Sequence, residues 1–336
     1  MNWARSYSST WRVFRVNRDT WADGAEVSGV DEFSIEKTAD GDLLESGSMT
    51  VTDGLDNDYY RVVLTAEQDG EVVRVEIATL LFDVASGTYN YGTSTHSASG
   101  YSVLYPASTT AILRGSYAPG GVNGAEYAAA MLRDAINAPV VVEGSFTLND
   151  YVVHELGSTV LECVWAVLNA GNFTMQIDGH GTVHILPMPT KAELNLDSLN
   201  AQLVMPGIDY EADDSGVPNR YIAQVGNLTE MAVNDLANKV STSTRGYFVD
   251  YLDTEPIPVN GETLKAYCVR KLHEMSTIAD TRTYTREFAP DVNIYDVVDA
   301  SLDGMSGTMR VTAQSLTCNY GVTVTEKATK EIDLWQ

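Results

Sequence analysis

Apolar and polar residues alternate along both ends of this chain, and the middle follows a different period. From Trp11 to about Val84 the alternation marks short strands in WRVFRVN, DEFSIEK, GSMTVT, YYRVVLT and EVVRVEIATLLFDV, separated by Gly and Asp turns. Val73, Val75 and Ile77 share one face while Arg74 and Glu76 hold the other, the signature of a half-buried antiparallel sheet. Five such strands at short spacing predict a small barrel or sandwich. THSASGYSVLYPAST carries the β character on to about residue 109.

The period then lengthens. NGAEYAAAMLRDAIN places Asn123 as an N-cap with Glu126 three residues on and Pro139 beyond the end, which predicts a helix. A second helix is predicted over Ser158 to Ala170, where Glu162 alone interrupts the apolar residues from Val160 to Leu168, so it should be buried on most sides. FTMQI and TVHIL around DGHG then read as a hairpin, and the two prolines of PMPTKAEL read as a linker at Pro187 to Leu194.

Strand patterns return in IDYEAD, NRYIAQVG and RGYFVDYLD. They are broken by a helix at about residues 261–279, whose apolar stripe is Leu264, Cys268, Leu272 and Met275. In DTRTYTREF, Arg282, Tyr284, Arg286 and Phe288 share one parity and threonines with Glu287 the other. Pro290 halts that strand, a second follows from Val292 to Val298, and LDG at Leu302 to Gly304 supplies a turn. Met309, Val311 and Ala313 are apolar at odd positions, but Leu316, Cys318, Tyr320, Val322 and Val324 at even ones. That slip predicts a bulge or bend near Gln314 and Ser315. The expected fold is mainly β with an α/β insert. Two small antiparallel β-barrel domains, residues 1–112 and 191–336, flank a helix-and-hairpin domain at 113–190.

A length of 336 residues supports more than one core. The charge of −25 repels phosphate backbones and anionic membranes, which removes sequence-read DNA and stable membrane binding from the expected partners. The three cysteines, Cys163, Cys268 and Cys318, are far apart and imply neither a disulfide framework nor a zinc knuckle. The opening residues lack an apolar signal core and no stretch reaches membrane-spanning length, so synthesis and folding in a cytoplasm are expected.

Chemistry is sparse. His180 and His184 would lie about 13 Å apart on a strand, too far to share a metal. GxSxG, HExxH, P-loop and GxGxxG motifs are absent, and PGGVNG at Pro119 to Gly124 reads as a helix-entry loop. DGLDNDY at Asp53 to Tyr59 lacks the residue order of a calcium loop, and DYEADDSG at Asp209 to Gly216 reads as a charged turn in preference to a glycosidase carboxylate pair. No catalytic residue, cofactor or metal is expected. Trp3 and Trp11, set among Arg5 and Arg12, pair the two side chains that most often anchor protein interfaces.

The order of parts resembles the baseplate hub family of phage tails and related injection machines. DGHGTVHILP matches that family's hairpin through Asp178, Gly179, Val183, Ile185 and Pro187, and YTREFAPDVNIYDVVD matches its later stretch through Pro290, Asp291, Val292, Asp296 and Val298. The glycine expected before Asp296 is Tyr295. The resemblance implies a non-enzymatic virion protein of the tail baseplate or tip. It implies a homotrimer whose two barrels per subunit make a pseudo-sixfold ring, joining the tail tube or a distal tail ring protein to a spike or tip protein. It further implies a lumen for the tape measure protein and for DNA passing without sequence recognition. On that reading Trp3, Arg5, Trp11, Arg12, Arg282, Tyr284, Arg286 and Phe288 are interface candidates, and Asp209, Glu211, Asp213 and Asp214 lumen candidates. The alternative is a secreted carbohydrate-binding or glycan-cleaving β protein. A receptor-binding adhesin would be expected to carry long repeats, and none occur.

Overall fold

The computed structural model describes residues 1–3, 5–52, 55–90, 93–192, 194–195, 207–256, 258, 262–302 and 305–335. Asp53, Gly54, Glu193, Asp303 and Gly304, which belong to the acidic turn, the linker and the LDG turn read above, lie outside the described residues. Strands make up 48% of the chain and helices 14%, so the expected mainly β class holds.

The chain opens with seven strands: β1 (Ser8–Val16), β2 (Asp23–Val27), β3 (Val30–Thr38), β4 (Glu45–Val51), β5 (Asp58–Gln68), β6 (Glu71–Asn90) and β7 (Thr93–Tyr101). There follow α1 (Tyr105–Thr109), β8 (Ser116–Ala118), α2 (Gly124–Ala135), β9 (Val140–Val142), β10 (Val152–His154), α3 (Val160–Ala170), β11 (Phe173–Ile177) and β12 (Val183–Pro187). Next come β13 (Leu194–Asn195), β14 (Asp209–Glu211), β15 (Arg220–Val225), β16 (Leu228–Val233), α4 (Thr242–Arg245), β17 (Asp250–Asp253) and α5 (Leu264–Glu274). The last strands are β18 (Thr277–Glu287), β19 (Val297–Leu302), β20 (Met305–Cys318) and β21 (Val322–Asp333).

Two compact units emerge, Met1–Gly207 with Tyr284–Ala328, and Ile208–Thr283 with Thr329–Gln336. This differs from the expected three consecutive segments with boundaries after residues 112 and 190. The first reason is pairing: β20 returns to pair with β3, matching Ala313 with Thr38 and Cys318 with Phe33, so the late strands extend the opening sheet. The second is a shared core. Trp21, Leu44, Tyr59 and Leu104 bury against Leu132, Leu161, Val164 and Ile185 of the helix-and-hairpin segment, which gives that segment no separate core.

In the larger unit the strands run in the order β21-β20-β3-β4-β7-β6-β5-β1-β2, with β19 also on β20. Among the described residues this is an open path, not the closed barrel expected from the strand count. Phe33, Ile35, Met49, Leu64, Leu80 and Phe82 fill its main core. Asn123 caps α2 by accepting from the Ala125 amide at 3.1 Å. Thr159 and Glu162 form a reciprocal capping box on α3, at 3.2 and 2.7 Å. The predicted slip in β20 is real in burial, with Met309 and Val311 buried before it and Gln314, Leu316 and Cys318 after it. The pairing with β3 stays regular, however. Instead, residues 305–310 pair with β19 and residues 313–318 with β3, so the buried side changes where the partner strand changes.

The smaller unit holds a three-stranded sheet, β16-β15-β17, with β16 antiparallel and β17 parallel to the middle strand. Tyr221, Ala223 and Ala232 pack against Tyr267, Cys268 and Leu272 of α5, with Leu264 and Met275 partly buried beside them, so the predicted stripe faces this core and Tyr267 joins it. The Tyr221 and Tyr267 hydroxyls both donate to Asp253, at 2.7 and 2.8 Å.

Candidate functional site

The two motifs that carry the family resemblance meet inside the larger unit. Gln176 on β11 donates to the Ile294 carbonyl at 2.7 Å and to the Asp296 carboxylate at 3.0 Å. Asn293 donates to the Ile177 carbonyl at 3.0 Å, and its own amide donates to Asp296 at 2.7 Å. The hairpin tip is tied down as well: the His180 carbonyl accepts from Trp21 Nε1 at 2.7 Å and from Arg61 at 2.9 Å. Gly179 is required there, because a Cβ would stand 1.8 Å from the Glu76 carbonyl oxygen. These motifs therefore hold the hairpin to the sheet. Tyr295, in the place of the expected glycine, keeps the left-handed backbone with φ of 69°. Its buried ring and its hydroxyl, which donates to the Ala39 carbonyl at 2.6 Å, hold it there.

The interface candidates separate into two groups. Tyr284, Arg286 and Phe288 are buried, which corrects the expectation that this face of β18 is free for a neighbouring subunit. Arg286 meets Glu326 through two hydrogen bonds and donates to the Glu287 carbonyl at 2.9 Å. Burial lowers the Arg286 pKa and Glu326 more than restores it, so the guanidinium stays charged. Burial pushes the Tyr284 phenol up, and the Glu326 charge adds to the rise. Arg282 is half-buried, paired with Asp280 at 3.0 Å and lying over the Tyr210 ring at 5.1 Å.

Of the N-terminal interface candidates, Trp3 and Trp11 are docked on their own unit. The terminal amine contacts Glu71 at 2.9 Å, Trp3 meets Tyr7 and Phe288 edge-on at 5.2 and 6.4 Å, and Tyr7 donates to the Phe288 carbonyl at 2.8 Å. Trp11 Nε1 donates to the Asn319 carbonyl at 2.6 Å. Arg5 and Arg12 remain exposed in pairs with Asp69 and Glu26, at 3.1 and 3.2 Å. Arg12 lies on β1, next to β2 at one end of the strand order, and a sheet edge of this kind offers unpaired backbone groups to another chain.

Among the lumen candidates, Asp209, Glu211 and Asp213 are exposed. Asp209 and Glu211 stand opposite Thr283 and Thr281 on β18. Hydrogen bonds from Ser215 hold the Asp213 carboxyl below its usual range. Asp214 is half-buried and engaged by Lys239 at 2.5 Å.

His184 lies between Glu143 at 2.6 Å and Asp178 at 3.2 Å, while His180 faces Glu76 at 3.5 Å. Partial burial lowers the His184 pKa, but the hydrogen bonds to Glu143 and Asp178 outweigh it and the value rises. Among the described residues no group of three or more His, Cys, Asp or Glu could hold a metal ion. One carboxyl is displaced far upward: burial pushes Glu45 to about 7, Lys37 pulls it back and Asp178 adds to the rise. Sequence reading missed Glu45, because its polarity pattern is that of an ordinary strand end and the enclosure comes from tertiary packing.

No protein-family model matches the chain, and no curated protein sequence does. Two solved structures share its fold from end to end. The tail protein from Neisseria meningitidis MC58 is 15% identical, with a TM-score of 0.61 over 98% of each chain. The prophage MuSo2 43 kDa tail protein from Shewanella oneidensis is 12% identical, with a TM-score of 0.58 over 95% of this chain and 97% of that one.

Proposed function

We propose that this chain is a structural subunit of a phage tail or a related injection machine, placed at the baseplate or tail-tip hub. The observation that carries the reading is the end-to-end likeness to the two tail proteins, at identities of 15% and 12%. The hairpin and late-strand motifs, which dock on one another in this fold, support the same placement. In this reading three copies form a ring that joins the tail tube or a distal ring protein to a spike or tip protein, with the tape measure protein and DNA passing through. The edge strand β2 with Arg12 beside it is the surface offered to the next copy. Asp209, Glu211 and Asp213, exposed on an acidic chain, suit a conduit wall, since carboxylates do not hold a passing polyanion by counterion release.

The test is removal and counting. Deleting the coding sequence from a tail-producing phage or prophage should leave incomplete tails, and a tagged chain should restore them at three copies per particle. Normal tails without the chain would overturn the structural role. Restoration at six copies per particle would overturn the trimeric ring while leaving the tail role in place.

A further inference from the structure

Among the described residues, the three-stranded sheet of the smaller unit is covered on one side, by α5. Tyr221, Ala223 and Ala232 face α5, so by strand alternation Ile222, Met231 and Leu252 point the other way. The register sets these three in one row, Met231 opposite Ile222 and Ile222 opposite Leu252. Met231 is 50% exposed and Leu252 58%. The next row continues the surface: Val233 stands opposite Arg220, whose guanidinium lies 4.0 Å over the exposed Phe248 ring and is paired with Asp250. A sheet with one solvated face ordinarily places polar side chains there, and a contiguous apolar patch on such a face marks an interaction surface.

We infer that this open face docks a basic, amphipathic segment of a different protein, its aliphatic side chains laid on the Met231–Ile222–Leu252 row. Charge selects the occupant. Residues 208–283 with 329–336 contain 14 Asp and Glu against 8 Lys and Arg, a balance of −6, within a chain of −25. Two copies meeting through this face would bring like-charged acidic units together, which opposes self-association at this face, whereas lysines and arginines around an apolar stripe are attracted to it. Arg220, the cation beside this row, is already committed to Asp250.

The experiment uses the full chain and two synthetic amphipathic helices of equal length and identical leucine pattern, one with lysine and one with glutamate on its polar face. Fluorescence anisotropy should show the lysine helix binding roughly ten-fold or more tightly than the glutamate helix. Met231→Asn with Leu252→Asn should weaken the lysine helix roughly ten-fold, as loss of a central apolar anchor does. The same double substitution at Val72 and Tyr117, exposed in the larger unit, should leave binding unchanged. Unchanged thermal unfolding of the variants shows that the fold is kept. Equal binding of both helices, no binding of either, or a lysine-helix affinity indifferent to the Met231 and Leu252 replacements would overturn the inference. So would light scattering in which the free chain self-associates and the same replacements abolish it, because the occupant would then be a second copy.

Discussion

Arg286 on β18 grips Glu326 on β21 through two hydrogen bonds, Nε to Oε2 at 2.9 Å and Nη2 to Oε1 at 2.6 Å, with both side chains sealed from solvent. Gln314 adds a third donor, to Oε1 at 2.7 Å. Breaking such a pair strands a charge in the core, so Arg286→Ala or Glu326→Ala should cost about 3–5 kcal/mol in denaturant unfolding, while Arg286→Met with Glu326→Leu should recover most of that loss. A single replacement that unfolds like the parent would show the pair to be dispensable.

Tyr295 inverts an ordinary ranking. Its φ of 69° is costly for any residue but glycine. Tyr295→Ala and Tyr295→Gly both forfeit the buried ring and the bond to Ala39, but only the glycine relieves the backbone. The glycine variant should therefore be the more stable of the two by about 1 kcal/mol. Chemical denaturation of the pair decides it, and an alanine variant equal or superior to glycine would mean that the backbone relaxes without help.

Glu45 links stability to pH. Its folded value of about 7 lies above its ordinary 4.5, so the folded state holds a proton that the unfolded state releases. Its contribution is fully present below about pH 4.5 and is lost as pH rises to about 7. His184, also raised, has the same sign at somewhat higher pH. Glu45→Gln keeps the neutral form throughout, so its stability should fall less between pH 4.5 and 7 than that of the parent, by an amount on the order of 2–3 kcal/mol. Parallel curves for the two proteins over that range would place the pH dependence elsewhere.

At the N-terminus, Trp3 and Tyr7 close one side of Phe288. Trp3→Ala should lower unfolding stability by about 2 kcal/mol, and removal of residues 1–7, which precede β1, should cost at least as much. Thermal melts that do not change on truncation would show that these contacts add nothing to the stability of the fold.

Local pattern alone determined much of this protein. Alternation marked the strands through Val84, Asn123 and Thr159 stand where helix caps were legible, and the stripe of α5 falls on Cys268 and Leu272 as spaced. These features depend on residues within a turn or a strand of one another, and that is the range over which side-chain periodicity acts. The division into units was decided by β20 reaching back to β3 and by Trp21 entering the hairpin's core. Both are long-range contacts that leave no mark in spacing. The same limit explains the interface candidates. An arginine beside aromatics on one parity reads alike whether it faces a partner or a buried carboxylate, and only the packing of Glu326 against Arg286 chose the second. On the open face of β15 the choice went the other way. Ile222 alternates as a half-buried strand residue should, and the tertiary structure decided that α5 covers the opposite side, leaving Met231 and Leu252 in the open.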